Sequence, residues 1–291
     1  MTNKENSILA EKTTHLFLSW PNAGNAGCNR RLKNNATQLR CLKKSNRTTT
    51  MSNPATNALS KNLNFVLKLN DNCMTNSKFT FLVLGGTGRT GKHFVSIALN
   101  EGHKVVALVR NPEKVDVRNA NLKLIKGAIN DCQSIDELLN GVDFVISMLG
   151  DAKRQKKENV NTEFVKKLIP AMRRQKVKRF LYQAGGFSRP YKEELPFIFW
   201  VLKKTLVRFA GLLGQHRDNE AVIEYLTNEA GDIEWMVHRA SLISDEASKG
   251  TLLRSKTKNS LANFVDCAMY NYRLLSDDSA VHTCDLSYYS K

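Results

Sequence analysis

The sequence predicts an α/β fold built on a doubly wound parallel sheet, and three features of its 291 residues predict it. From residue 79 onward, apolar runs alternate with helix-periodic segments at intervals of about 30 residues, the rhythm of βαβ units. The first run, Phe79–Leu84, is apolar at every position but Thr80, as suits a strand covered on both faces. It ends in a glycine cluster that opens directly into a helical pattern. Crossovers of one hand then place helices on both faces of the sheet.

The elements follow in order. Arg89 to Glu101 keeps a helical period through Phe94, Ile97 and Ala98 and stops at Gly102. Lys104–Val109 is the second strand and Leu122–Ile125 the third. Ser134–Leu139 is a short helix with Ser134 as its cap. Val142–Met148 is the fourth strand, Asn159–Arg174 a helix and Arg179–Gln183 the fifth strand. Asn219–Asn228 is a helix, and Ile233–Val237 the sixth strand. Phe187–Gln215, Arg239–Ser260 and the tail from Asn271 fall outside this rhythm. They are expected beyond the carboxyl ends of the later strands, as a small C-terminal region on the substrate side.

Composition bounds the rest. A hydrophobic fraction of 42% and a charged fraction of 24% exclude a wholly disordered, collagenous or membrane-embedded chain. The net charge is +17, and residues 1–74 hold 11 Lys or Arg against Glu5, Glu11 and Asp71. That leader lacks any sustained apolar period, so disorder is expected for it. It reads as a bland extension, an organelle transit peptide or a basic arm. No aromatic interleaving supports nucleic acid, and no nucleic-acid partner is expected. Residues 75–291 are then one α/β domain. Cys28, Cys41, Cys73, Cys132, Cys267 and Cys284 make no C-x-x-C pair and read as reduced thiols, so an intracellular, cytoplasmic location is expected, with organelle import through 1–74 as the variant.

Gly85-Gly86-Thr87-Gly88-Arg89-Thr90-Gly91 joins the first strand to the first helix, the context that a dinucleotide fingerprint requires. Gly85 suits the tight turn, Gly88 a close approach to the pyrophosphate and Gly91 a close helix–strand contact. The orphan N–H groups and positive end of the helix attract the phosphates. Where an NAD site places an acid after the second strand, this chain has Arg110, followed by Asn111-Pro112-Glu113-Lys114. Arg110 and Arg89 are positioned to pair with a 2′-phosphate, so NADP(H) is the expected cofactor. Arg110 also reads as a solvated strand end.

The glycine motif, Val109–Lys114, Gly141-Val142-Asp143-Phe144-Val145-Ile146-Ser147 and Val177-Lys178-Arg179-Phe180 resemble the atypical short-chain dehydrogenase/reductases, NmrA-like and biliverdin reductase B/flavin reductase-like. The resemblance spans about residues 79–285 and implies a Rossmann-like domain. It implies that Met148, Leu149 and Gly150 line the adenosine and nicotinamide-ribose side, and that Ala184 and Gly185 border the nicotinamide. The Asp that contacts adenine in many relatives is absent, and the contact falls to backbone near Ala128.

Catalysis is less legible. No Tyr-x-x-x-Lys pair exists: Tyr182 is followed four on by Gly186, Tyr191 by Leu195 and Tyr225 by Glu229. The serine that some relatives carry at the end of the fifth strand is replaced by Gly185. Ser188, Tyr191 and His216 are the candidates for substrate chemistry. Their other readings are solvent-facing loop hydroxyls for the first two, and a helix-capping or surface ring for the third. His238 reads as structural, just past the sixth strand. Asp266 and Cys267 are expected to pack with one buried hydrogen bond, and Tyr288 and Tyr289 to staple the tail. Phe197–Leu202 with Lys203 and Lys204 reads as a substrate lid, a dimer interface or, across residues 196–214, a membrane-surface helix. The functional reading is hydride transfer to a small hydrophobic, quinone- or flavin-like acceptor. The rival is a non-catalytic NADP(H) sensor that binds a protein partner.

Overall fold

The computed structural model describes residues 77–129, 134–151, 154–208 and 211–290. The expected disorder of 1–74 lies outside them. The strands are β1 (Thr80–Leu84), β2 (Lys104–Val109), β3 (Leu122–Lys126), β4 (Phe144–Ser147), β5 (Arg179–Gly185), β6 (Glu234–Ala240), β7 (Ile243–Ser244), β8 (Leu252–Ser255), β9 (Ala262–Asn263) and β10 (Cys284–Tyr289). The helices are α1 (Arg89–Asn100), α2 (Ile135–Leu139), α3 (Val160–Gln175), α4 (Phe197–Leu202), α5 (Leu213–Glu229) and α6 (Phe264–Leu274).

Eight strands form one sheet in the order β3-β2-β1-β4-β5-β6-β10-β8. Neighbours run parallel except β10 and β8, which are antiparallel. The strand order reverses between β1 and β4, and such a switch point opens the crevice where ligands enter these sheets. Alternate residues of each strand face opposite sides. Leu82 and Leu84 of β1 pack with Phe164 and Leu168 of α3 and Val222 and Leu226 of α5. Phe81 and Val83 pack with Phe94 and Ala98 of α1 and Cys267 and Leu274 of α6. The central strands are therefore covered on both faces, and this is why adjacent apolar residues run through them, as in Phe81–Leu84 and Val145–Ile146.

The expected doubly wound sheet is present, with two differences. The sixth strand continues to Ala240, so His238 and Arg239 lie inside it rather than after it. His238 is fully buried, with Nδ1 bonded to Asn271 and Nε2 to Ser287. The tail supplies β10, and the stretch after β6 supplies β8, so both extend the sheet edge instead of lying only beyond the strand ends. Asp266 makes more than the one bond expected. It accepts from Ser248 Oγ, Lys249 N, Asn263 Nδ2 and Tyr289 Oη, the last at 2.6 Å. Tyr289 does staple the tail, as a strand residue.

Candidate dinucleotide and substrate site

The glycine loop is built by exclusion of side chains. Gly85 has φ +83°, a left-handed conformation that suits glycine. Its carbonyl accepts from Gly88 N at 2.9 Å and closes the turn. A Cβ on Gly91 would lie 2.0 Å from that same oxygen, so only glycine lets α1 start this close to β1. Gly88 caps α1 without a side-chain hydrogen bond, and the first turn holds no acid. The helix N-terminus is thus left open to an anion.

Above the carboxyl ends of β1, β4, β5 and β6 lies a cleft of about 840 Å³. Thr87, Gly88, Arg89 and Thr90 form its floor at the glycine loop, with Met148, Leu149 and Gly150 beside them. Ala184, Gly185 and His216 line the far end, together with Phe187, Ser241 and Leu242. A smaller pocket of about 100 Å³ adjoins it and shares Thr87, Leu149 and Gly150. Gly85, Arg110, Ala128, Asp151 and Arg154 line that pocket. One groove therefore runs from the end of β2 to the end of β6. Gly86 and Gly91 line neither pocket and act through the backbone of the loop. A polar group orphaned in the wall supports a ligand there: Ser241 Oγ is buried with no hydrogen-bond partner among the described residues.

The two arginines line two adjoining pockets. Arg110 lines the small pocket and pairs loosely with Asp151 at 3.9 Å, while three quarters of its side chain stays exposed. Arg89 lines the wide cleft, lies 4.4 Å over the Phe264 ring and pairs with Asp245 at 3.5 Å. The second cation in the small pocket is Arg154, which sequence reasoning missed. It sits in a one-turn helix 45 residues beyond the end of β2, within the basic run Lys153–Lys157, which by itself reads as a solvated face and does not point to this pocket.

The catalytic candidates separate. Ser188 is completely buried, not solvent-facing, and its Oγ lies 2.9 Å from His216 Nδ1. His216 is neither a cap nor a surface residue: it lies inside α5, 5% exposed, against the cleft. Burial, and then Lys203, hold its pKa down to about 4, so the ring is neutral near pH 7. Tyr191 packs half-buried against the core beneath α3 and α5 and does not line the cleft. Phe197 and Trp200 stack on each other at the edge of a neighbouring groove with Lys203, Lys204 and Arg208. They are not part of the cofactor cleft. Phe199 instead packs edge-on against Phe187, 5.9 Å between centroids, behind the cleft wall. No described helix is long and apolar enough to cross a membrane.

The two buried histidines make a pH prediction. His238, like His216, has its pKa lowered to about 4, chiefly by burial. Unfolding lets each ring take up a proton below its ordinary value of 6.5. Stability is therefore complete above that pH and is lost as pH falls from about 6.5 to about 4, by roughly 3 kcal/mol per ring. The melting temperature should fall steadily across that window, and less steeply in His238→Gln.

With this geometry in place, comparison with known proteins is informative. A family profile described as NAD(P)H-binding matches residues 85–265. A tobacco protein, isoflavone reductase homolog A622, is 32% identical over 125 residues, which cover 40% of this chain and 38% of its own. Photosystem II assembly factor Ycf39 of Cyanophora paradoxa is 28% identical over 178 residues, 54% of this chain and 55% of its own. The chain thus spans about half or less of these relatives' lengths. Among solved structures, ChuY, an anaerobillin reductase of Escherichia coli O157:H7, superposes with TM-score 0.59 at 14% identity, covering 72% of this chain and 96% of its own. The oxidoreductase ylbE of Lactococcus lactis gives 0.56 at 18% identity, covering 73% and 91%. These structures share the fold. The family match begins on the glycine loop and runs through β6 into α6, across more than half of the chain, and the chain therefore belongs to the NAD(P)H-binding family.

Proposed function

We propose that this protein is an NADPH-dependent reductase of a planar, apolar acceptor of the quinone or flavin class. The observation that carries the reading is the continuous groove, with cations at one end and an apolar wall at the other. Arg110 and Arg154 flank the small pocket, where a 2′-phosphate would gain charge-assisted hydrogen bonds. The open N-terminus of α1 takes the pyrophosphate. Ser241 Oγ offers its unused hydrogen-bonding capacity to a polar ring substituent. Phe187, Leu212, Leu242 and Ile243 make the apolar wall against which a flat acceptor packs. When bound, the nicotinamide supplies hydride, and the protein supplies orientation and shelter from water. The reductase names of the isoflavone reductase homologs support the same reading. An intracellular location goes with it, consistent with Cys267 and Cys284, free thiols whose pKa burial pushes up to about 12.

Cofactor choice tests the cationic end. Arg110→Ala should cost NADPH about 1.5–3 kcal/mol, roughly tenfold to a hundredfold in affinity, and leave NADH nearly unchanged. Fluorescence titration with both cofactors measures it. Equal weakening of the two would remove Arg110 from the 2′-phosphate. Turnover is tested by NADPH oxidation against a panel of quinones, flavins and aldehydes. A protein that binds NADPH but oxidises it with none of them is not this reductase.

A further inference from the structure

We propose that His216 is the hydrogen-bond donor to the acceptor's oxygen, held as the Nε2–H tautomer by Ser188 through a buried chain of side chains. The inference rests on the reductase reading and adds the group that polarises the substrate. Three observations lead to it.

The first is a substitution of space. Gly185 ends β5 in the cleft wall, and a Cβ there would lie 2.6 Å from His216 Cε1 and 3.2–3.3 Å from both ring nitrogens. The imidazole therefore fills the place that a side chain at 185 would take. The sequence puts glycine where some relatives put serine, and the polar function passes to a ring 31 positions further on.

The second is the direction of the hydrogen bonds behind the ring. Asn161 Nδ2 donates to Tyr182 Oη at 2.9 Å. Tyr182 Oη donates to Asn219 Oδ1 at 2.7 Å, and Asn219 Nδ2 donates to Ser188 Oγ at 3.3 Å. Ser188 is completely buried, and among the described residues the acceptor within reach of its own proton is His216 Nδ1, at 2.9 Å. Nδ1 is then unprotonated, and the ring hydrogen sits on Nε2.

The third is what faces the remaining nitrogen. Nε2 bonds to no described residue, and His216 lines the cleft beside Gly185 and Phe187. The charge that acts on the ring is Lys203, which Glu220 holds in an ion pair while also accepting from Arg189 N. A neutral imidazole of fixed tautomer donates a hydrogen bond without carrying a charge into an apolar pocket. As hydride reaches the acceptor, the electron pair that it displaces collects on the acceptor's oxygen, where Nε2–H stabilises it. The proton that finally neutralises that oxygen comes from water, and His216 ends as it began. Ser188 acts through His216 and is a positioning residue.

The full-length protein labelled with ¹⁵N-histidine tests this without turnover. At pH 7 the resonance lost in His216→Ala should be the neutral Nε2–H tautomer. With NADP⁺ bound, adding menadione should shift it. Ser188→Ala should turn it into a mixture of tautomers, and Ser188→Thr should restore it. In kinetics, His216→Ala should lower kcat about a hundredfold with NADPH affinity within twofold of wild type. Gly185→Ser in the His216→Ala background, where the vacated space admits the hydroxyl, should recover about tenfold of that loss. An Nδ1–H tautomer, an imidazolium at pH 7, or an unchanged kcat in folded His216→Ala overturns the proposal. A wild-type protein inert toward every acceptor sinks the reductase reading instead. In that case the tautomer and its response to Ser188→Ala still decide whether the chain of bonds fixes the ring.

Discussion

Asp218→Ala is expected to destabilise the domain by about 3–5 kcal/mol, since a buried donor left without its acceptor costs about 1–3 kcal/mol and several lose theirs at once. Asp218 sits on α5, is completely buried, and reaches across to the start of α3. Its carboxylate accepts from Asn161 N at 2.9 Å and Thr162 N at 3.0 Å, two of the orphan donors of the α3 N-terminus. It also accepts from Gln155 Nε2 at 2.8 Å and Thr162 Oγ1 at 2.7 Å. A negative charge at a helix start gains further from the helix dipole. Alanine would leave three buried donors, Asn161 N, Thr162 N and Gln155 Nε2, without this acceptor, while Thr162 Oγ1 keeps the Asp218 carbonyl at 3.1 Å. For a domain of this size the loss corresponds to a drop in melting temperature of roughly 10 °C. Asp218→Asn keeps the shape and one acceptor oxygen, so a smaller loss is expected. Thermal unfolding of the three proteins measures both. If Asp218→Ala melts within 2–3 °C of wild type, water must replace the carboxylate, and the cap is dispensable. His216 lies two residues before Asp218 on the same helix, so the alanine variant should also loosen the end of the cleft that His216 lines.

Gly91→Val is expected to abolish cofactor binding, with a loss in affinity above about a hundredfold, or 2.7 kcal/mol. The reason is steric. The new Cβ would start 2.0 Å from Gly85 O and 2.9 Å from Gly86 Cα, both backbone atoms that no rotamer change can move. Relief requires α1 to slide away from β1 or the glycine turn to open. Either motion breaks the Gly88 N to Gly85 O bond at 2.9 Å and scatters the N–H groups meant for the pyrophosphate. Overpacking of this kind typically costs about 1–3 kcal/mol of stability, so the variant should remain folded under mild conditions. Titration with NADPH and NADH, beside a melting curve, separates lost binding from lost fold. Near-normal affinity for either cofactor would show that the phosphates do not sit on this loop.

Local chemistry made much of the molecule readable before any coordinates. A strand buried on both faces is apolar where it is covered, and β1 shows this in four adjacent buried residues, Phe81 to Leu84. A strand, a glycine turn and a helix in direct succession announce a phosphate site because all its parts are neighbours in the chain. Arg110 at the end of β2, and Met148 to Gly150 after β4, follow from the same rule that ligands gather at the carboxyl ends of parallel strands. Ser134 was legible as a cap, and its Oγ accepts from Glu137 N at 3.4 Å.

What the sequence determined by itself, then, is the fold class, the glycine loop and the strand ends that border the groove, since each depends on residues a few positions apart. Tertiary structure alone decided the rest. It paired β10 with β6 and β8 with β10, joining segments whose separate patterns are too short to declare an edge. It set Arg154 beside Arg110 and turned Arg89 toward Phe264 and Asp245. It buried Ser188 and placed the His216 ring in the space left by Gly185, on elements 28 and 31 residues apart. A histidine's exposure, tautomer and neighbours arise from contacts between distant parts of the chain. No period or spacing encodes them, because the free energy that fixes them appears only when the sheet and α5 close on each other.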